Sequence, residues 1–281
     1  MALSSKPIWK LEDGSLSRQS DQLAVEEPLE IRVAFGQGTD RRQEPLAVTM
    51  RTPGDDHELA LGFLFTEGII SAASDVISLR YTGEQWEEDM QYNSLTAELD
   101  PKIAFDPQQL SRHFYTATSC GVCGKGSIEL VKTHTCFFPI EDRPRISAAT
   151  LALLSERLRQ SQKLFSSTGG LHAAGLFDRE GNLQLLREDV GRHNALDKLI
   201  GASLRSGAVP LRDSALMVSG RASFELVQKA LMAGIPILVA VGAPSSLAVE
   251  LAEEYGMTLV GFLRERGFNI YCGKNRILFD P

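Results

Sequence analysis

Two cysteines three positions apart are the residues with the clearest chemical potential in this chain of 281 residues. Cys120 and Cys123 lie in residues 118–126, together with three glycines and Lys125. A neighbouring positive charge and backbone N–H groups lower the pKa of a thiol and favour the reactive thiolate. Glycine gives the backbone freedom to move. We therefore expect a thiol that can be presented to another molecule.

The residues alone leave three kinds of cysteine chemistry open. A structural zinc site needs four ligands, and His134 with Cys136 could complete the set. A thioredoxin-like dithiol would place the pair at the start of a helix. A sulfur carrier would hold a sulfur atom as a persulfide on one cysteine, and the second would assist its transfer or release. Cys136 and Cys272 lie in apolar surroundings and are predicted to be buried core residues.

Three turns rich in glycine, serine and arginine form a second group of candidate site residues. Each one follows a predicted strand and precedes a predicted helix. Ligands of α/β sheets bind outside the carboxyl ends of the strands, where helix N-termini present N–H groups to anions. The candidates in these turns are Arg192, His193, Ser219, Gly220, Arg221 and Ser245. Because arginine binds phosphate through paired hydrogen bonds, the turns indicate a nucleotide or another phosphorylated ligand.

A fourth turn, near the C-terminus, combines arginines with aromatic residues. In this turn, residues 261–271, Arg264 and Arg266 lie between aromatic residues. Such a segment can stack on a flat ring and hold a phosphate, and a surface loop with solvated arginines is an equally good interpretation. His172 leads a predicted apolar strand, where we expect a hydrogen-bonded core residue, with a site residue at the strand end as the alternative.

The elements that must position these residues fall into four predicted segments. Residues 1–20 are polar and unpatterned, which predicts a flexible arm. Residues 21–117 indicate a small, mostly β domain with one core helix. Residues 118–146 carry the cysteine loop and a connection. Residues 147–281 alternate helices with short apolar strands, which predicts an α/β domain with a largely parallel sheet, α+β overall.

Composition excludes several broad classes of function. A net charge of −7 argues against a general nucleic-acid-binding protein. The sequence contains no apolar run of about 18 residues, so no membrane span is expected. The N-terminus shows no apolar signal segment, and four cysteines do not make a disulfide framework. A cytoplasmic protein with reduced thiols is therefore predicted.

Several motifs, occurring in the same order, resemble the FdhD/NarQ family. The motifs occupy residues 118–125, 168–172, 188–198, 219–223, 243–249 and 261–271. The resemblance extends from about residue 55 to residue 271, and so many ordered motifs are far more specific than the cysteine pair alone.

The resemblance implies an accessory sulfurtransferase for formate dehydrogenase. A cysteine desulfurase would deliver sulfur to Cys120 as a persulfide, and Cys123 would be the second cysteine of the pair. The acceptor would be the molybdenum cofactor in its bis(guanine dinucleotide) form, before its insertion into the formate dehydrogenase apoenzyme. The resemblance also implies that residues 262–267 bind this cofactor. It further implies a three-layer C-terminal domain similar to the cytidine-deaminase fold, and a homodimer without a tightly bound metal of its own.

Deamination is not expected in spite of the implied fold. Zinc deaminases use an H-x-E motif followed by P-C-x-x-C. Here Ser119 precedes the cysteine pair, and His172 is followed by two alanines rather than by a glutamate at the third position. Two alternatives to sulfur carriage stay open: a non-catalytic chaperone that binds the molybdenum cofactor, and a zinc-structured protein.

Overall fold

The computed structural model describes residues 2–82, 93–106, 137, 139 and 143–279. Cys120 and Cys123 lie outside the described residues, as do His134 and Cys136. Within these ranges, no helix has the length and apolar character needed to cross a membrane.

The N-terminal residues form a β-hairpin, a regular structure that the prediction of a flexible arm over residues 1–20 did not include. Strands β1 (Leu3–Glu12) and β2 (Ser15–Ala24) pair antiparallel along their whole length. They are joined by Asp13 and Gly14, both with positive φ, as the tight turns favoured in two-residue hairpins require. Most side chains of both strands are exposed. The hairpin therefore lacks the alternation of buried and exposed residues that reveals a strand in a sequence.

A four-stranded sheet with one helix makes up the rest of the N-terminal region. Its strands are β3 (Glu27–Phe35), β4 (Arg42–Arg51), β5 (Val76–Tyr81) and β6 (Ser94–Leu99), in the order β4-β3-β6-β5. The predicted pairing of β3 with β4 as antiparallel neighbours is confirmed. Helix α1 (Asp56–Thr66) covers this sheet and buries most of its residues, as its dense apolar sequence predicts.

The C-terminal region contains a six-stranded sheet and five helices among the residues that the structure describes. Its elements are β7 (Ile146–Ser147), α2 (Ala148–Ser161), α3 (Lys163–Thr168), β8 (His172–Phe177), β9 (Leu183–Asp189), α4 (Arg192–Arg205), β10 (Ala215–Val218), α5 (Phe224–Met232), β11 (Ile237–Ala240), α6 (Ser246–Glu254), β12 (Thr258–Arg264), β13 (Gly267–Cys272) and β14 (Ile277–Leu278). The sequence predicted one helix from Ser147 onward, but the chain breaks it at Gln162, where the backbone leaves helical geometry.

The large sheet is mixed rather than largely parallel. Its order is β13-β12-β11-β10-β8-β9. Only the pairs β10–β11 and β11–β12 are parallel, whereas β8, β9 and β13 join as antiparallel neighbours. Connections that contain a helix predict parallel neighbours. At each edge of the sheet, however, a short turn joins two antiparallel strands, β8 to β9 and β12 to β13, and the sequence did not reveal this.

Helices cover both faces of this sheet, in the predicted three-layer α/β arrangement. Phe177, Met217 and Val239 pack with α2 on one face. Leu216 and Leu238, on the opposite face, share a core with α4, α5 and α6. Because alternate residues of a strand point to opposite faces, the short apolar strands bury both sides.

The two sheets are joined by the close packing of α1 on α4. Gly62 of α1 lies against the backbone of Asp197, and Gly201 of α4 lies against the backbone of Glu58, with no room for a side chain at either glycine. One apolar cluster extends from Val33 of the N-terminal sheet through both helices to the C-terminal sheet. The N-terminal region is therefore packed directly behind the helices that begin at the candidate site.

Candidate functional site

The candidate turns lie side by side at the carboxyl ends of β10, β11 and β12. Backbone hydrogen bonds connect them: Gly242 N donates to Gly220 O (2.9 Å), and Phe262 N donates to Gly242 O (3.1 Å). A third bond joins Ser245 N to Ala222 O at 3.0 Å. We call this row of turns, together with the start of α4, the carboxyl edge.

The start of α4 reaches the carboxyl edge because β9, which precedes it, ends opposite the first residue of β8. His172 is in register with Asp189, the last residue of β9. A Cβ atom built on Gly220 would lie 3.6 Å from Arg192 Cδ and equally close to the His172 ring. Arg192, His172 and Gly220 are therefore neighbours. Arg192 Nε is buried and makes no hydrogen bond within the described part of the chain.

Two serines of one turn pair with two histidines. Ser219 Oγ accepts a hydrogen bond from Ala173 N (2.9 Å) and lies 3.3 Å from His172 Nδ1. Ser223 Oγ, at the other end of the turn, lies 3.2 Å from His193 Nε2. The turn 219–223 thus holds one imidazole at each end.

Both imidazoles are neutral at pH 7. Burial, reinforced by the nearby guanidinium of Arg192, lowers the pKa of His193 to about 3. The same two causes, in the same order, lower the pKa of His172. The histidines therefore supply hydrogen bonds rather than charge, and arginine supplies the permanent positive charge of the carboxyl edge.

Helices α5 and α6 begin at serines that are used differently. Ser245 Oγ accepts a hydrogen bond from Ala248 N (3.3 Å), which is the ordinary role of a serine at a helix N-terminus. Ser223 makes no such capping bond. Its hydroxyl group instead faces His193, so its position in the sequence gives an incomplete account of its role.

The stretch 262–267 is the end of β12 and the turn into β13. Phe262 has a positive φ of 54° and is 43% exposed. Leu263 is fully buried in the core beneath the sheet, so its side chain does not face a ligand. Arg264 is exposed and donates to the carbonyl groups of Val241 and Leu263, both at 2.7 Å. Glu265, Arg266 and Gly267 are exposed.

Much of the motif at 188–198 lies at a different place from the carboxyl edge. Asp189 is buried and forms an ion pair with Lys198 at 2.7 Å. It also accepts a hydrogen bond from Thr52 N of the N-terminal region at 3.1 Å. Asn194 donates to Met50 O at 2.8 Å. These groups form what we call the junction network, which attaches β4 and α1 to α4.

A second buried cluster continues from the junction toward His193. Lys229 Nζ lies 3.0 Å from Asp197 Oδ2 and 2.9 Å from Thr66 Oγ1. Glu225 Oε1 lies 3.9 Å from the same ammonium group. The other oxygen of Glu225 lies 3.5 Å from His193 Nε2.

Sequence reasoning missed Glu225 and undervalued Ser223 and His172. A serine before a helix predicts a plain helix cap, but Ser223 faces His193, and the structure places His172 half-buried at the carboxyl edge rather than in the core. The sequence feature that could have identified these three residues is their position, since each lies within a few residues of the end of a strand. Within the described ranges, no group of three or more His, Cys, Asp and Glu residues is arranged to hold a metal ion.

Comparison with known proteins identifies the family of the chain. The model of the FdhD/NarQ family matches residues 24–278. A protein of Mycolicibacterium paratuberculosis named sulfur carrier protein FdhD is 52% identical over 275 residues, which cover 98% of each chain. A protein of Streptomyces avermitilis with the same name is 50% identical, covering 97% of this chain and 94% of its own.

A solved structure extends the likeness to the fold. It is that of a protein from Desulfotalea psychrophila described as a formate dehydrogenase accessory protein. It is 25% identical in sequence, superposes with a TM-score of 0.73, and covers 99% of this chain and 100% of its own. Since the family model spans both sheets and every turn of the carboxyl edge, and since full-length relatives are about half identical, the chain belongs to the FdhD/NarQ family.

Proposed function

We propose that this protein is a sulfur carrier that serves the maturation of formate dehydrogenase. Cys120 accepts sulfur from a cysteine desulfurase, and the acceptor is the molybdenum cofactor in its bis(guanine dinucleotide) form, bound as a substrate at the carboxyl edge. Family membership and the names of the full-length relatives support this proposal. So does the description of the related solved structure as a formate dehydrogenase accessory protein.

The observation that carries the cofactor part is the convergence of anion-binding and ring-binding groups on one edge. Arg192 has a buried, unbonded Nε within the described structure, and helix N-termini favour phosphate oxygens. The exposed ring of Phe262 offers a flat surface for a guanine base. A guanine dinucleotide contains both a pyrophosphate and flat bases, so its chemistry fits this edge.

Sulfur uptake at Cys120 is a thiol–disulfide type of exchange. The Cys120 thiolate attacks the outer sulfur of the donor persulfide, a new S–S bond forms, and the donor cysteine leaves as a thiolate. Cys123 then attacks the inner sulfur of the Cys120 persulfide. This step releases HS⁻ for the cofactor and leaves a Cys120–Cys123 disulfide, which a cellular dithiol must reduce before the next cycle.

The remaining parts of the proposal concern the cellular setting. The partners are the cysteine desulfurase and the formate dehydrogenase apoenzyme, the location is the cytoplasm, and the protein acts as a homodimer. Cys120 and Cys123 make the covalent bonds. Arg192, His193, Ser219, Gly220, Arg221 and the exposed residues of the segment 262–267 bind the cofactor, and Ser245 takes part through the helix N-terminus that it caps.

Mass spectrometry after incubation with a cysteine desulfurase and cysteine tests the sulfur step. We expect one added sulfur on Cys120, no addition in Cys120→Ser, and a retained but unreleased sulfur in Cys123→Ser. Formate dehydrogenase activity should be lost with Cys120→Ser. If Cys120→Ser carries no sulfur and still supports full activity, the protein is a non-catalytic chaperone. Stoichiometric zinc that disappears in Cys123→Ser would identify a zinc-structured protein instead.

A further inference from the structure

His193 has an acidic neighbour for which the proposed function has no role. Glu225, on α5, is one turn from Lys229, and its Oε1 lies 3.9 Å from the ammonium group. Its other oxygen, Oε2, is buried and accepts no hydrogen bond within the described part of the chain. That oxygen lies 3.5 Å from His193 Nε2, and Ser223 Oγ lies 3.2 Å from the same nitrogen.

The position of the proton on His193 decides whether this arrangement is favourable. An ionised carboxylate can only accept hydrogen bonds, and a buried acceptor without a donor is costly. A proton on Nε2 directs an N–H toward Ser223 and Glu225. A proton on Nδ1 would instead direct the Nε2 lone pair at a carboxylate oxygen.

We propose that Ser223 and Glu225 are positioning residues that hold His193 in the tautomer with its proton on Nε2. Nδ1 is then the nitrogen that accepts a hydrogen bond from the ligand of the carboxyl edge. This inference rests on the proposed function only for the identity of that ligand. Guanine N–H groups and ribose hydroxyl groups are suitable donors to Nδ1, whereas the negatively charged phosphates bind to arginine.

Burial, and secondarily the neighbouring positive charges, keep His193 neutral, so the position of its single ring proton matters. Arg192 precedes it on the same helix and Lys229 approaches from α5, and both cations disfavour the imidazolium form, as does a proton on the nearby His172 of β8. Glu225 is the carboxylate that faces its Nε2. A neutral imidazole has one donor and one acceptor nitrogen, and the partner of one nitrogen fixes the role of the other.

Nitrogen NMR of histidine-labelled protein tests the proposal without any ligand. Long-range ¹H–¹⁵N spectra separate the two tautomers, and His193→Gln identifies the signal among the five histidines. We expect the wild-type protein to show the Nε2–H form. Glu225→Leu should produce a mixture, and Glu225→Gln, which retains the shape and one acceptor, should lie between the two. Glu250→Gln, an exposed change on α6, is the matched control and should match the wild type.

Titration with GDP connects the tautomer to ligand binding. Loss of the carboxylate that faces His193 Nε2 should weaken GDP binding about tenfold in Glu225→Leu and less in Glu225→Gln, with no change in Glu250→Gln. If Glu225→Leu does not fold, Glu225→Gln and Ser223→Ala provide the same comparison. A wild-type proton on Nδ1, or Glu225 variants with wild-type spectra and affinity, would overturn the proposal. If the spectra follow expectation but no protein binds GDP, the positioning role stands and the proposed ligand fails.

Discussion

Residues 188–198 contribute to both the junction network and the carboxyl edge, and the polar groups of the two regions differ in whether they are already hydrogen-bonded within the protein. At the junction, Asp189 and Lys198 are buried and bonded both to each other and to the N-terminal region. At the edge, Arg192 keeps an unbonded Nε within the described structure. Polar groups that are hydrogen-bonded within the protein stabilise the fold, whereas polar groups with an unused hydrogen-bond donor or acceptor are available to a ligand. The two regions should therefore respond differently to substitution.

Removal of the junction cation should have the largest effect on stability. Lys198 Nζ bonds Asp189 Oδ2 at 2.7 Å and Thr52 O at 2.8 Å, and its side chain is only 2% exposed. Lys198→Met leaves a buried carboxylate without its counter-charge, which costs about 3–5 kcal/mol of unfolding free energy. Denaturant unfolding measures this loss, with the exposed Lys163→Met as the control. If Lys198→Met lost less than about 1 kcal/mol of unfolding free energy, the buried ion pair of the junction would not stabilise the protein as proposed.

The pH dependence of the unfolding free energy tests the buried carboxyl group of Asp197. Burial raises the pKa of this carboxyl group to about 6, although the Lys229 ammonium group opposes the rise. The folded protein thus holds the proton more tightly than the unfolded chain, whose aspartate pKa is about 3.9. The contribution of Asp197 to stability is therefore full below about pH 4 and is lost as the pH rises through about 6.

Comparison of the wild type with Asp197→Asn isolates this contribution. Relative to the variant, the wild type should lose on the order of 2 kcal/mol between pH 4 and pH 7. Asp213→Asn, at an exposed site, should follow the wild-type profile. Parallel profiles for the wild type and Asp197→Asn would contradict a raised pKa at this residue.

Substitution of Ser245 should have the smallest effect on stability. It tests, at the carboxyl edge itself, whether a polar group that is hydrogen-bonded within the protein stabilises the fold. It lies on the carboxyl edge, but its hydroxyl group is committed to Ala248 N, as junction groups are to their partners. Ser245→Ala should lower the unfolding free energy by about 1 kcal/mol, and Ser245→Thr, which keeps the hydroxyl group, should lower it less. Equal stability of all three proteins would show that the capping bond contributes nothing.

Most of the regular structure could be predicted from the sequence because burial leaves a pattern. Strand β3 alternates buried and half-buried residues, and its apolar positions fall on the buried face. The β1–β2 hairpin was missed because both of its faces are largely exposed. The antiparallel partners of the large sheet were missed because strand direction depends on long-range pairing that no local pattern records.

The location of the carboxyl edge could be predicted from the sequence, but the roles of its individual residues could not. Strand ends followed by glycine and serine located the turns correctly. Residues 188–198 form one motif in the sequence, yet Arg192 and His193 lie at the edge while Asp189 and Lys198 lie at the junction. Successive residues of a helix point about 100° apart, so neighbours in sequence reach different surroundings. Glu225 was missed because its role depends on His193, which is distant in sequence.

Calorimetric titration with GDP tests the central claim that the carboxyl edge, with Arg192 at its centre, is the nucleotide site. The wild type should bind GDP, and Arg192→Gln should bind it at least about tenfold more weakly, since a charge-assisted bond to phosphate is lost. Its unfolding free energy should change by less than about 0.5 kcal/mol. Arg179→Gln, an exposed arginine at 72% side-chain exposure, should bind GDP as the wild type does. Wild-type affinity in Arg192→Gln would contradict the claim.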